Sequence, residues 1–95
     1  MKSVRNNQPT YRLNYGDFVW ELNGKYHRED GPAIECANGT RWWYLHGKNH
    51  REDGPAVEWY TGTREWYWRG KRLEVRSQEE FEKLKPRLLI QDIFS

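Results

Sequence analysis

A chain that repeats a short unit in tandem must fold each copy alike and lay the copies side by side. Residues 27–49 read HREDGPAIECANGTRWWYLHGKN and residues 50–72 read HREDGPAVEWYTGTREWYWRGKR, identical at 15 of 23 positions. A degenerate copy, VRNNQPTYRLNYGDFVWELNGKY, occupies 4–26 and keeps Arg5, Pro9, Gly16, Trp20, Leu22, Gly24 and Lys25. The pattern stops after Arg72, and a tail of different character runs over 73–95. The chain therefore reads as one domain, 1–95, built of three units and a cap.

Inside each unit the signals are β. Apolar residues alternate with polar ones and turn residues punctuate them. One segment is Tyr11-Arg12-Leu13, Ile34-Glu35-Cys36 or Val57-Glu58-Trp59, followed by a turn at Gly16, Gly39 or Gly62. The next holds Trp20, Trp43 or Trp66 and ends in a turn at Asn23-Gly24, His46-Gly47 or Arg69-Gly70. Each unit is a β-hairpin, and the array is an antiparallel meander. Lys25 to Asp30 fits either a short strand or a loop.

Period-two alternation predicts two unlike faces. Tyr11, Leu13, Ile34, Cys36, Val57 and Trp59 share an apolar core face with Trp20, Leu22, Trp43, Leu45, Trp66 and Trp68. Arg12, Asn14, Glu35, Ala37, Glu58, Val19, Glu21 and Glu65 fall on the other, with Trp42, Tyr44, Tyr60 and Tyr67 clustered among them. An apolar sheet face needs a cover, and the tail is expected to supply it. Ser77-Gln78-Glu79-Glu80 is a capping box, and Phe81, Leu84 and Leu88 have helical spacing. Pro86 is expected to break or kink this helix near Lys85. Leu88-Leu89-Ile90 and Ile93-Phe94 then form a second apolar segment, helical or extended, part of which is free to mediate self-association.

Composition narrows the function. Sixteen basic and 14 acidic residues leave a net charge of +2, too balanced to imply a nucleic-acid partner by itself. Lys2, Arg5 and Arg12 give the N-terminus a mild basic bias. Six Trp, six Tyr and three Phe supply enough buried area for a small core despite abundant charge. The lone Cys36 makes neither an intrachain disulfide nor a cysteine zinc site. No apolar run is long enough to span a membrane and no signal peptide is evident, so a cytoplasmic location is expected.

HREDGPA, present at 27–33 and 50–56, is the one string that resembles a site. His27 and His50 suit general bases. Glu29, Asp30, Glu52 and Asp53 suit a divalent metal, and Arg28 and Arg51 suit a phosphate. Together they sketch a small nuclease or phosphodiesterase. Against that, the string is duplicated, no Ser or Cys nucleophile accompanies it, and Leu73 and Val4 stand where His would recur. As a joint, the same string makes sense residue by residue. Pro32 and Pro55 direct the chain into the next strand, Gly31 and Gly54 permit the bend, and Asp30 and Asp53 suit Asx-type turns. Arg of one loop is placed to pair with an acid of the next, about 10 Å away across two strands. An exposed pair of that kind is worth about 0.2–1 kcal/mol.

A 23-residue hairpin unit with the corners Asn23-Gly24-Lys25-Tyr26-His27 and His46-Gly47-Lys48-Asn49-His50 resembles the MORN repeat family. NGKxHREDGPA, followed by NGT and WY, is similar to a variant of that repeat found in small bacteriophage and bacterial proteins. The resemblance covers 10–72 well, the N-terminal copy weakly and the tail not at all. A MORN unit ordinarily continues His-Gly-x-Gly, whereas Arg-Glu-Asp-Gly-Pro follows the His here. The resemblance implies a β-hairpin array used as a binding or assembly surface, with no catalysis and no cofactor. The membrane-lipid binding sometimes ascribed to such arrays needs a basic excess that this sequence lacks.

The expected function is a non-enzymatic interaction module, an accessory protein of a bacteriophage that binds and modulates a host protein. Trp42, Tyr44, Tyr60 and Tyr67 are the expected contacts, with a rim of His27, Arg28, Glu29, His50, Arg51 and Glu52. The alternative for the aromatics is cross-strand pairing that only stabilises the sheet. The alternative function is nucleic-acid or nucleotide binding, with bases stacked on the aromatics and phosphates met by Arg41, Arg64, Arg69, Lys71 and Arg72. A third is self-assembly into oligomers through sheet edges or the tail.

Overall fold

The computed structural model describes residues 8–94. Lys2, Val4, Arg5, Asn6 and Asn7, and with them the start of the first unit, lie outside the described residues. The chain is mainly antiparallel β-hairpins in a meander, followed by one C-terminal helix. Six two-residue strands form one sheet in the order β1 (Tyr11–Arg12), β2 (Phe18–Val19), β5 (Ile34–Glu35), β6 (Arg41–Trp42), β9 (Val57–Glu58) and β10 (Arg64–Glu65). The chain then runs on from β2, β6 and β10 into three small hairpins. These are β3 (Glu21–Leu22) with β4 (Lys25–Tyr26), β7 (Tyr44–Leu45) with β8 (Lys48–Asn49), and β11 (Tyr67–Trp68) with β12 (Lys71–Arg72).

Two turn types set the geometry. Within the sheet, each unit turns through a three-residue loop closed by a glycine in the left-handed region. Cys36 N–H donates to Thr40 O at 2.8 Å, Gly39 N–H donates to Cys36 O at 2.9 Å, and Gly39 has φ 98°. This is a type I turn completed by a glycine bulge. The small hairpins use two-residue loops in which both central residues have positive φ, such as His46 at 50° and Gly47 at 83°. That is the type I′ turn, whose twist matches the strands it joins.

The three-residue loop corrects the expected faces. An odd loop pairs residues of like parity, so Ile34 lies opposite Trp42, not Trp43. The register then runs Tyr11, Val19, Ile34, Trp42, Val57, Glu65 along one face. Along the other it runs Arg12, Phe18, Glu35, Arg41, Glu58, Arg64, a ladder of mostly alternating charge. Ile34 and Val57 therefore share a face with Trp42, and Glu35 and Glu58 share one with Trp20 and Trp43. Within the six-stranded sheet one face is apolar but for Glu65 and the other charged but for Phe18.

The molecule is 17 Å across its thinnest dimension. The six-stranded sheet hides its smallest side chains between neighbouring strands. Ala33 is fully buried: its carbonyl accepts from Trp20 N–H and its N–H donates to Trp42 O, both at 2.8 Å. Ala56 sits in the same way between Trp43 and Glu65.

A single helix, α1 (Gln78–Phe94), follows. Ser77 caps it: Ser77 Oγ accepts from Glu80 N–H at 3.1 Å, and Glu80 Oε1 accepts from Arg76 N–H at 2.7 Å. Contrary to expectation, Pro86 does not end it. Pro86 is exposed, so the carbonyl it leaves without an amide faces water, while Leu84 and Leu88 pack on one cluster from either side of it. That anchoring offsets a cost of about 3 kcal/mol for proline inside a helix. The cluster consists of Trp66, Trp68, Leu73 and the fully buried Phe81, with Val75 at its margin. The helix thus covers the last unit alone, not the whole array as the sequence suggested. Trp66 Nε1 donates to Gln78 Oε1 at 3.0 Å and Trp68 Nε1 to Asp92 Oδ2 at 3.1 Å.

Candidate functional site

Two surfaces were expected to matter, the HREDGPA loops and the outer aromatics. In the loops nearly every side chain is committed to the joint. His27 and His50 are buried, at 4% and 6% exposure. His27 Nδ1 accepts the N–H of His46, and His50 Nδ1 accepts the N–H of Arg69, both at 2.9 Å. Each acceptor thus reaches the first residue of the next hairpin's type I′ turn. The neighbouring carbonyls take the second turn residue: Gly47 N–H donates to Tyr26 O and Gly70 N–H to Asn49 O, each at 2.8 Å. The neutral imidazole then carries its proton on Nε2, 3.3 Å from Glu52 Oε2 in His50 and 3.6 Å from Glu29 Oε2 in His27.

Arg28 and Arg51 are also engaged. The Arg28 guanidinium lies 3.9 Å from the Trp20 ring centre and that of Arg51 lies 4.0 Å from Trp43. Nε of each donates to an aspartate two residues on, Arg28 to Asp30 at 3.0 Å and Arg51 to Asp53 at 2.9 Å. The guanidinium also donates to the proline carbonyl, of Pro32 or Pro55. Arg51 adds a 3.2 Å bond to Glu58, and Arg28 lies 3.7 Å from Glu35. These pairs close within each joint and do not link one loop to the next as expected. The aspartates receive arginine, not the backbone of an Asx turn. The glycines serve a different purpose as well: a Cβ on Gly31 or Gly54 would fall 2.9 Å from the arginine Cζ. Glycine is therefore there to let the guanidinium lie flat between backbone and indole. Of the expected rim, Glu29 and Glu52 are the exposed members.

Among the described residues no three His, Cys, Asp or Glu side chains stand close enough to hold a metal. The Cys36 thiol is pushed up in pKa, first by burial and then by the Asp17 charge, which disfavours a thiolate.

The aromatics are better grouped than the sequence implied. Trp42 and Trp59 meet edge to face at 5.1 Å, and the Tyr26 and Tyr44 rings lie tilted at 52°, with centres 5.1 Å apart. Glu65 gathers the next group: it accepts from Trp59 Nε1 at 2.9 Å and from Tyr67 OH at 3.3 Å, and Arg72 lies 3.8 Å away. Trp42, Tyr44 and Tyr67 therefore share one face, with Tyr26 and Trp59 beside them. Tyr60 stands apart on the Tyr60–Gly62 turn, beside Gly39, at 65% exposure. Sequence reasoning missed Tyr26, because Lys25 to Asp30 was unassigned, and placed Trp59 in the core. The two-residue turn at Asn23-Gly24 was the available signal, since it pairs Tyr26 with Glu21.

Burial raises the Tyr44 hydroxyl pKa, and burial, then the Glu65 charge and hydrogen bond, raises that of Tyr67. Both stay protonated donors near neutrality. Of the cations, Arg72 stands with this group beside Glu65, whereas Arg41 and Arg64 sit on the opposite face, Arg41 beside Glu58 at 3.8 Å. Arg69 lies 3.3 Å from Asp92, and Lys71 is exposed on β12. Among the described residues no helix is long and apolar enough to cross a membrane. No protein-family model, no curated protein and no solved structure matches this chain.

Proposed function

We propose that the chain is a non-catalytic protein-interaction module and that the tyrosine face is its contact surface. The observation that carries this is the patch formed by Trp42, Tyr44 and Tyr67 with Tyr26 and Trp59, on the face away from the Trp66, Trp68 and Phe81 cluster where the helix packs. Half-buried Tyr and Trp supply large contact area at low entropic cost, and such residues dominate binding hot spots. Arg41 and Arg64 lie on the opposite face from the aromatics and Arg72 beside them is paired with Glu65, which favours a protein over a nucleic acid, whose bases and phosphates need aromatics and several cations on one side.

The MORN-like character of the unit directs the search to a host protein that a small bacteriophage protein would bind and modulate. The test uses the intact chain and a Trp42→Ala variant as baits in bacterial lysate. A partner retained by the first and lost by the second supports the reading. Retention by both places the contact elsewhere. A second reading, self-association, draws on the exposed Leu89, Ile90 and Ile93 of the helix. A mass above that of one chain, reduced by Ile90→Glu with Ile93→Glu, would favour it.

A further inference from the structure

We propose that His27 and His50 make the stacking of the small hairpins acid-labile: a proton on either ring unlatches one hairpin from the next. The inference goes beyond the contact reading and does not depend on it. The two meet at Tyr26 and Tyr44, whose rings stand on either side of the first latch.

The first argument is the direction of the bond. A backbone N–H only donates. The His46 and Arg69 amides, 2.9 Å from Nδ1 of His27 and His50, therefore require that nitrogen to be bare. A second proton on the imidazole has only Nδ1 to go to, and it turns both ring nitrogens into donors. The latch then sets an N–H against an N–H. The amides cannot turn aside alone. Each belongs to a type I′ turn whose next amide, Gly47 or Gly70, donates to Tyr26 O or Asn49 O at 2.8 Å. The rings are buried, His27 against the His46 ring at 4.3 Å and His50 against Trp68 at 4.7 Å. Relief comes by parting the two hairpins, which takes the neighbouring bonds with it.

The second argument weighs the charges around the rings. Glu29 and Glu52, 3.6 Å and 3.3 Å from Nε2, attract an imidazolium. Their side chains are 46% and 57% exposed, so water screens that attraction. Nε2 of His27 is also buried without a hydrogen bond among the described residues. His46, Lys48 and Arg69 line a cavity with His50 and oppose a charge on it, although Arg69 is itself beside Asp92. On its other side a groove brings Glu29 and Lys85, with Arg28 and Arg51 already paired to Asp30 and Asp53. The contested Nδ1 lies inside the joint, away from water, and decides the balance. Opening the latch frees Nδ1 to take up a proton, so acid favours opening, over the range of about pH 8 to 5 in which histidine changes charge.

The experiment follows the full chain by NMR across that range. At its alkaline end both joint imidazoles should show the Nε2–H tautomer. Toward its acid end, amide protection corrected for intrinsic exchange should fall about tenfold per pH unit at His46, Gly47, Arg69 and Gly70, one proton being taken up per opening. The Cys36 amide, bonded to Thr40 O within its own unit, should keep its protection. His27→Asn with His50→Asn offers an acceptor oxygen near the place of Nδ1 and nothing to titrate, and should abolish the pH dependence. An Nδ1–H tautomer, rings that protonate while the joint amides stay protected, or protection lost equally at Cys36 overturns the inference. These readings need only the unmodified protein, so misfolding of the variant does not obscure them. A partner that stays on the chain while the joint amides are open would sink the tyrosine-face reading and leave the latch standing.

Discussion

His50 Nδ1 accepts the backbone N–H of Arg69 at 2.9 Å, across 19 residues of sequence. The bond ties one hairpin to the tip of the next, and His27 makes the same bond to His46. Where the array ends, Leu73 stands at the equivalent position. Leu73 keeps the backbone bond to Trp66 O that His27 and His50 make to Trp20 O and Trp43 O. Its side chain instead enters the cluster under the helix. Each of the two histidines stands between two small hairpins, and Leu73 follows the last one.

Replacing His50 by Ala should therefore cost about 1–3 kcal/mol, the usual penalty for stranding a buried polar group. Urea unfolding measures the loss, and hydrogen exchange locates it. The Arg69 amide should exchange faster in the variant. Unchanged protection at Arg69 would show that the histidine does not hold the joint.

Gly54→Ala tests the arginine sandwich. Gly54 does not have positive φ, so alanine is acceptable to the backbone and the conflict is with the Arg51 guanidinium alone. That group is fixed by Asp53, Pro55, Glu58 and Trp43 and cannot swing aside freely. The substitution should cost about 1–3 kcal/mol alone and close to nothing in an Arg51→Ala background, a coupling that a double-mutant cycle reads directly. Additive costs would mean the glycine serves another purpose.

Pro86→Ala should stabilise the chain, by at most about 3 kcal/mol, because it restores an amide inside a continuous helix. Phe81→Ala should do the reverse, by about 3–5 kcal/mol, since Phe81 is the fully buried centre of the only cluster that docks the helix among the described residues. Circular dichroism with thermal unfolding compares the two. A Pro86→Ala chain that melts lower than its parent contradicts the reading.

Alkaline pH supplies a further check. The hydrogen bond to Glu21, followed by desolvation and the Glu21 charge, pushes the Tyr11 pKa up from 10.0 to about 12. Ionisation is harder in the folded chain, so this contribution to stability is complete below pH 10 and is lost as pH rises toward about 12. Tyr44 and Tyr67 are raised as well and act in the same direction. A late phase of tyrosinate absorbance should appear, diminished in Tyr11→Phe, whose stability should fall less across the same range.

Local features of this fold were legible because short stretches encode them. The glycine turns, the hairpins, the Ser77 cap and the helical tail each follow from a few adjacent residues. The faces were not legible, because one residue of loop length decides them. Pairing Ile34 with Trp42 instead of Trp43 moves a whole row of side chains across the sheet. Pro86 misled for the opposite reason: its local cost is real, but Leu84 and Leu88 grip a surface supplied by a distant unit. The roles of His27 and Arg28 also needed three dimensions. Their partners, the His46 amide and the Trp20 ring, are invisible until the hairpins stand side by side.

The joint carries one more consequence. Arginine, aspartate, glycine and proline lock onto one another, the histidine reaches only the adjoining hairpin, and the helix recognises only whichever unit is last. Nothing in the middle of the array senses how many units there are. A gene duplication that copied one 23-residue module would lengthen the tyrosine face by one further step of about 9.6 Å and leave every existing contact as it was. Such a protein is a ruler whose length evolution can adjust by whole divisions, and longer rulers would grip proportionately longer ligands.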